Sequence, residues 1–318
     1  MERPTLPGGL RRLIEPLIEG YATLNRRLWA LAVPIGLDLF LWLGPRISPQ
    51  RLADVLRAAV AGVPQVDPAR NAQVLEALKT WGETANLSHF LSAYVLPLLI
   101  PRLGTAGPPG YAPPRWAPEP GWALVLPLAA VLVGLLFWSL YVTPLAQLVR
   151  GNAEKPGSLM RRVVRTWGRM VRLLAVIAFG GIVFLLPAGF VASVAAIAFP
   201  GLATLISLVG LAFLFWIGLY LYFAPTAIAF SGVGPLRAIY YSLQVVRSSF
   251  WRSIWFIFLI TFVRMGTVAL WQRLASHPVG VGLGILGNAY IVGGLTTAGL
   301  LFYRDRLRIW LAGNQERG

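Results

Sequence analysis

Long, uninterrupted apolar runs dominate the sequence, and polar positions collect between them. A helix that crosses a bilayer needs about 20 mostly apolar residues. The runs are continuous and do not alternate with polar positions, so we expect helices and not barrel strands. Six spans are predicted, at residues 28–45, 122–143, 173–196, 202–226, 253–272 and 281–303.

The first run is the weakest of the six, because it is short and contains Pro34, Gly36 and Asp38. A buried interfacial helix is the alternative interpretation of this run. Spans three and four are separated by little more than Pro200-Gly201, a pair that breaks helices and favours tight turns. These two spans are therefore predicted to form a closely packed hairpin.

Composition excludes most soluble classes of protein. The chain has 318 residues, of which 57% are hydrophobic and 13% charged. Soluble domains, by comparison, carry about 25% charged residues. The chain contains no Cys and two His, which excludes disulfides, thiolate chemistry and the common His-rich metal sites. We therefore predict no cofactor, no metal and no catalytic residue.

The net charge of +16 is interpreted mainly as a topology signal. With the N-terminus inside, most of the 28 Lys and Arg residues fall in cytoplasmic segments, as the positive-inside rule requires. Nucleic-acid binding is disfavoured because the charge is divided among segments next to the membrane. The prediction is a multi-pass protein of the cell (cytoplasmic) membrane with both termini cytoplasmic.

Three cytoplasmic segments read as basic amphipathic helices, each preceding an outward-going span. Residues 158–174 place apolar side chains at helical spacing opposite arginines, and residues 10–28 and 235–250 repeat the pattern more weakly. Such helices lie among lipid headgroups, and each arginine adds about 1 kcal/mol near an anionic leaflet. The predicted headgroup contacts are Arg161, Arg162, Arg165, Arg169, Arg172, Arg247 and Arg252.

The largest polar stretch, residues 46–121, is predicted to be an extracytoplasmic helical insert. Proline placement favours one helix from Ser48-Pro49 to about Ala61 and a second from Pro68 to about Ala85. Residues 89–101 are apolar but too short to span, so the core of a small helical cap is favoured over a re-entrant helix. Residues 106–121 carry six prolines and should form an extended linker.

Four segments carry a family resemblance that covers roughly residues 137–312. The segments are Leu221-Tyr222-Phe223-Ala224-Pro225, Gly232-Val233-Gly234-Pro235-Leu236-Arg237-Ala238, Val246-Arg247-Ser248-Ser249-Phe250-Trp251-Arg252 and Phe302-Tyr303-Arg304-Asp305-Arg306-Leu307-Arg308. They resemble the membrane domain of the glycerophosphoryl diester phosphodiesterase membrane-domain family and related YciC-like bacterial membrane proteins. The resemblance implies a membrane fold and no reaction, because the family's soluble phosphodiesterase barrel has no counterpart in this sequence.

Two charged residues lie inside predicted spans, Asp38 in the first and Arg264 in the fifth. Each is about 15 Å from the cytoplasmic end of its span, so the two can pair. An intramembrane ion pair that locks the spans together is favoured over a midplane site for an ion, a proton or an anionic substrate.

The sixth span is rich in glycine, which lets helices approach closely. Gly280, Gly284 and Gly287 are predicted to pack against other helices, and Asn288 to hydrogen-bond a neighbouring one. The GxGxxG match at residues 282–287 lacks a preceding strand and is interpreted as accidental. A metal shared by His89 and His277 is disfavoured because no acids lie near them in the sequence.

Together these patterns predict an all-α membrane protein with six transmembrane helices in three hairpins. The spans would connect a cytoplasmic N-terminal helix (1–27), the insert (46–121), two cytoplasmic amphipathic segments (144–172 and 231–252) and a cytoplasmic tail (304–318). The favoured function is a non-enzymatic accessory or scaffold role that organises anionic lipid or a membrane protein complex. The chain would form a homo-oligomer or bind a membrane protein partner.

Two other functions remain open. The alternative is a transporter or permease component with a midplane site at Asp38 and Arg264. A membrane-embedded lipid enzyme is less favoured, because no pair of carboxylates or histidines lies near one membrane face.

Overall fold

The computed structural model describes residues 8–62, 68–92, 96, 98–103, 111, 113–151 and 156–315. These residues are almost entirely helical. Two short 3₁₀ segments, Asn25–Leu31 and Leu87–Ser92, and two two-residue strands, β1 (Arg46–Ile47) and β2 (Arg115–Trp116), accompany the α-helices. The helices are α1 (Gly8–Leu24), α2 (Ala32–Leu43), α3 (Gln50–Ala61), α4 (Pro68–Thr84), α5 (Ile100–Leu103), α6 (Pro120–Arg150), α7 (Pro156–Ala198), α8 (Pro200–Leu221), α9 (Ala224–Ser231), α10 (Pro235–Ser248), α11 (Phe250–Leu274) and α12 (Pro278–Gln315).

Within the described residues, five stretches of helix are long and apolar enough to cross a membrane. This makes the chain an all-α protein of membrane-compatible composition, as the apolar runs predicted. The five stretches are Pro120–Arg150, Ser158–Ala195, Thr204–Ser231, Phe250–Leu274 and Pro278–Gly313.

The first predicted span is not among these five. The 3₁₀ segment contains a non-helical residue at Arg27 (φ −145°, ψ 51°), and α2 itself has 12 residues. A helix of this length is about 18 Å long, shorter than the roughly 30 Å hydrocarbon core of a bilayer. A crossing at residues 28–45 therefore remains a prediction.

The amphipathic segment at 158–174 and the span that follows it form one continuous helix, α7. No turn signal separates the two patterns, and a single Gly168 in a helix costs only about 1 kcal/mol, so the helix propagates through it. By contrast, α10 ends before α11 because Ser249 leaves the helical region (φ −140°, ψ 45°). The amphipathic segment of α10 is therefore separated from its span, whereas that of α7 is not.

The chain divides into two compact units. The first unit comprises Met1–Leu28, Val142–Arg264 and Gly294–Gly318, and the second comprises Trp29–Tyr141 and Met265–Gly293. The helices α6, α11 and α12 contribute residues to both units.

Aromatic stacking organises the core of the first unit. The Phe302 ring stacks on Phe256 at 4.1 Å and on Phe223 at 5.6 Å between ring centroids. All three side chains are buried. Gly232 ends α9 in the left-handed conformation (φ 63°), which glycine adopts without steric cost. The predicted hairpin is present in this unit, since α7 and α8 are separated by one residue and pack along each other.

The second unit contains the insert, and its two predicted helices are confirmed as α3 and α4. They pack closely, because Gly82 leaves no side chain between α4 and Ala53 of α3. The Ser48 hydroxyl donates a 2.7 Å hydrogen bond to the Gly82 carbonyl. The parallel pairing of β1 with β2 was not predicted. It fixes the end of the proline-rich segment beside the start of the insert.

Candidate functional site

One surface of α7 combines exposed arginines with exposed apolar side chains. Val163, Met170 and Leu173 recur at helical spacing and are buried in the first unit. Arg161 and Arg165 lie outside this buried face, as does Arg172 further along the helix. We call these three exposed arginines the basic surface.

The apolar neighbours of the basic surface are also exposed. Met160 and Val164 leave 58% and 50% of their area uncovered, and Val164 is a helical neighbour of Arg161, three residues away. Cationic and apolar groups that share one uncovered helix surface are typical of a helix at the boundary between headgroups and acyl chains.

The other two arginines predicted on α7 are partly buried. The Arg169 guanidinium lies against the carboxyl end of α9, where Nη1 is 3.3 Å from the position that a Cβ on Gly232 would occupy. A cation is favourable at this end of a helix because the terminal carbonyls carry partial negative charge. Arg169 therefore has a protein contact at α9, and both Arg162 and Arg169 are less exposed than the three arginines of the basic surface.

The amphipathic helix α10 turns its larger apolar side chains outward. Ala238, Ser242 and Val245 are buried against the unit, whereas Leu236 and Tyr240 are exposed. The predicted headgroup contacts Arg247 and Arg252 are exposed near the end of α10 and the start of α11.

A second charged cluster, which the sequence interpretation did not single out, forms around Arg304. Its Nε is 2.8 Å from Asp305 Oδ1, and its Nη2 is 3.6 Å from Glu19 Oε1. Its Nη1 also donates to the Val149 carbonyl at 3.5 Å. Arg304 thereby connects α1, α6 and α12 within the first unit.

Arg150 makes a related set of contacts nearby. Its guanidinium lies over the Phe230 ring, 5.1 Å from the centroid, and donates to the Ala229 carbonyl at 3.4 Å. The Tyr303 hydroxyl is 3.2 Å from Ser231 Oγ. Alternating Arg and Asp at 304–306 was the available signal for this cluster, but nothing in the sequence identified its partners on α1, α6 and α9.

A polar cavity of about 230 Å³ opens beside this cluster, lined by Glu15, Glu19, Asp305 and Arg306 together with Pro16 and Phe302. The Arg306 guanidinium lies 5.3 Å from the Phe302 ring centroid, which is a cation–π contact. Among the described residues, no group of three or more His, Cys, Asp or Glu side chains has the geometry to hold a metal ion.

The Asp38 carboxylate, by contrast, is fully buried in the second unit and is bound by the main chain. Both carboxylate oxygens accept from the Leu99 N–H at 2.9 Å, and Oδ1 also accepts from the Ile100 N–H at 2.9 Å. These bonds fix α2 to the start of α5. Asp38 therefore has hydrogen-bond partners that the sequence did not predict.

Arg264 belongs to the first unit, where it is half-buried and interacts electrostatically with Tyr222. Because Asp38 belongs to the second unit, the predicted pairing of Asp38 with Arg264 stays a prediction.

The glycines predicted to pack in the sixth span lie in the second unit portion of α12. Gly280 packs against the Leu274 carbonyl, and Gly287 packs against the Trp271 indole, where a Cβ would lie 2.5 Å from the ring. Gly284 contacts Leu99, whose Cδ2 would be 3.1 Å from its Cβ. Asn288 is buried.

The two histidines have different surroundings. Burial lowers the pKa of His89 below its usual value, and the positive charge of Arg46 lowers it further. His89 is therefore held neutral at physiological pH, while His277 is exposed.

No known family model, curated protein or solved structure matches this chain.

Proposed function

We propose that this chain is a multi-pass membrane protein with a non-enzymatic accessory role, in which the basic surface of α7 holds anionic lipid headgroups. The observation that carries the proposal is the shared exposure of Arg161, Arg165 and Arg172 with the apolar side chains beside them. A protein surface of this kind gains from both the headgroups and the acyl chains of a leaflet.

The continuity of α7 supports the same role. In the apolar part of α7 that follows the basic surface, no residue of the most apolar segment is buried. The same is true of the neighbouring stretch Thr204–Ser231. Side chains such as Phe184 and Phe190 are largely exposed, which suits a hydrocarbon environment and not water. The helix would pass from the leaflet surface into the bilayer without a break.

The family resemblance supports a membrane module. Two of the segments that carry it meet in the core of the first unit, where Phe223 stacks on Phe302 and lies 6.3 Å from Tyr303 between ring centroids. We interpret them as parts of one folded membrane domain.

Six spans in the cell membrane, with both termini cytoplasmic, are part of the proposal. Residues 28–31 at about 2 Å per 3₁₀ residue and α2 at about 1.5 Å per residue together extend about 26 Å, close to the hydrocarbon thickness of about 30 Å. A sixth crossing at this segment is therefore physically feasible.

The accessory role is favoured over a transporter because Asp38 already has main-chain partners. Its carboxylate accepts three short N–H contacts, which leave little remaining capacity for a transported ion. These bonds support a structural role in the second unit.

The test compares lipid retention in two variants that each lose three positive charges. Protein reconstituted in equimolar phosphatidylglycerol and phosphatidylcholine would be extracted mildly, and the bound lipids counted by native mass spectrometry. The wild type should retain an excess of phosphatidylglycerol. Replacement of all three arginines of the basic surface by Gln should remove most of it, since each contributes about 1 kcal/mol.

The control replaces three exposed arginines outside the predicted headgroup helices, Arg51, Arg115 and Arg273, by Gln. It should keep the excess of phosphatidylglycerol. If both variants lost the excess of phosphatidylglycerol equally, net charge alone would explain it. If the wild type retained no excess, the proposal would be refuted.

A further inference from the structure

An apolar groove of about 510 Å³ runs between α2 and α6 in the second unit. Its walls include Val33 and Phe40 from α2 and Val133 and Phe137 from α6, and its lining is almost entirely apolar. Leu91 from the 3₁₀ segment Leu87–Ser92 also lines it. The groove lies wholly within one unit.

The floor of the groove is open because of one glycine. A Cβ placed on Gly36 would meet no atom within 4 Å, so the missing side chain leaves free space. At Gly134 of α6 the opposite holds, since a Cβ there would collide with the Leu91 carbonyl. Gly134 therefore lets α6 approach Leu91 closely, and Gly36 leaves the groove open.

The position of the groove on α6 determines what can fill it. On α2, Asp38 follows the groove residue Leu37 but is fully buried. On α6, the nearest charged residues are Glu119, before Val133, and Arg150, after Phe137. At about 1.5 Å per residue these charges are about 20 Å away along the helix, while half the hydrocarbon core is about 15 Å thick. If α6 crosses a bilayer, the groove opens in its hydrocarbon region.

Ordered water does not suit this groove, because a bound water needs two to four polar partners and the lining is almost entirely apolar. The groove is open to its surroundings, so an apolar chain can enter it from outside. A flexible hydrocarbon chain suits the chemistry of the lining.

We propose that this groove is a binding site for one acyl chain of a membrane lipid. The chain lies along α2 over Gly36 and contacts the Phe40 and Phe137 rings. The site selects for hydrocarbon and not for headgroup charge, so it is independent of the basic surface in the first unit.

The experiment uses vesicles of phosphatidylcholine alone, which removes anionic headgroups from the test. A trace of phosphatidylcholine with a photoactivatable diazirine in one acyl chain would be crosslinked, and labelled peptides quantified by mass spectrometry. We expect peptides with residues 32–40 and 133–137 to be labelled more strongly than the exposed apolar surface of α7 and α8.

Gly36→Phe should fill the groove and reduce its labelling to the level of α7 and α8. Val133→Trp fills it from the opposite wall and should do the same, which covers the case in which one variant does not fold. Gly210→Phe is the matched control, because Gly210 on α8 also has no atom within 4 Å of a Cβ position. It should leave the groove labelled.

The proposal is overturned if the groove peptides are labelled no more than α7 and α8, or if the filled variants keep the excess. If the wild type shows no preference for anionic lipid but its groove is labelled, the proposed function is refuted and the acyl-chain site stands. If the wild type prefers anionic lipid but its groove is not labelled above α7 and α8, this site alone is refuted.

Discussion

At the scale of single residues, Asp38 shows how a buried carboxyl group can be held by main-chain donors, with the positive charge of Arg102 also acting on it. Its carboxylate accepts from the N–H groups of Leu99 and Ile100. Removing the carboxylate leaves two buried N–H groups without an acceptor, and each unsatisfied donor costs about 1–3 kcal/mol of stability. We expect Asp38→Ala to lower the free energy of unfolding by about 2–6 kcal/mol, measured by reversible SDS unfolding in mixed micelles.

Two further variants separate this role from the predicted ion pair. Asp38→Asn keeps an oxygen where Oδ1 accepts from both donors, so it should cost less than Asp38→Ala. The exchange Asp38→Arg with Arg264→Asp should remain as unstable as Asp38→Ala, because arginine has no acceptor for these N–H groups. Recovery of stability in the exchanged protein would instead support the ion pair.

The position of Asp38 in an apolar run marks it as unusual in the sequence alone. Its partners could not be inferred, because they are backbone N–H groups 61 and 62 positions away. Every residue except proline offers such a donor, so residue types around Leu99 carry no signal of the contact.

At the scale of elements, α1 is fixed on α12 by glycine. A Cβ on Gly20 would lie 2.8 Å from the Ala298 backbone nitrogen, and Gly294 accommodates the Tyr21 ring. The sequence predicted a headgroup helix at residues 10–28, and this packing shows that one face of α1 is instead occupied by protein.

We expect Gly20→Ala to destabilise the protein, although alanine is the better helix former by about 1 kcal/mol. The clash is with backbone, which cannot move aside as a flexible side chain can. Gly168→Ala is the matched control in the same unit, because no atom lies within 4 Å of its Cβ position, and it should be neutral or stabilising. Thermal unfolding of both variants in detergent checks this, and a Gly20→Ala protein as stable as the control would contradict the packing.

Local signals predicted some elements well and could not predict others. Pro68 begins α4 and Gly62 follows α3, so the insert helices could be placed from residues that favour helix ends. The pairing of Arg46 with Arg115 joins distant parts of the chain, and two-residue strands are too short to show the alternation that would predict it. The continuity of α7 could not be predicted either. Its pattern changes from amphipathic to fully apolar, and such a change also occurs where one helix ends and another begins.

At the scale of the whole molecule, the number of crossings decides on which side each terminus lies. Within the part of the chain that the structure describes, five helices have the length and composition to span. An odd number of crossings would place the termini on opposite sides of the membrane. A sixth crossing at residues 28–45 would place both on the same side. The distribution of Lys and Arg favours the cytoplasm for both.

Because the chain contains no Cys, a single introduced thiol gives labelling without background. Ala22→Cys on α1 and Ala312→Cys on α12 change exposed positions near the two ends, and Ser276→Cys lies in the turn between α11 and α12. With six crossings, a membrane-impermeant maleimide should label Ser276→Cys in intact cells but reach Ala22→Cys and Ala312→Cys only after permeabilisation. Labelling of Ala22→Cys from outside, with Ala312→Cys protected, would show instead that α2 does not cross and that five helices form the membrane region.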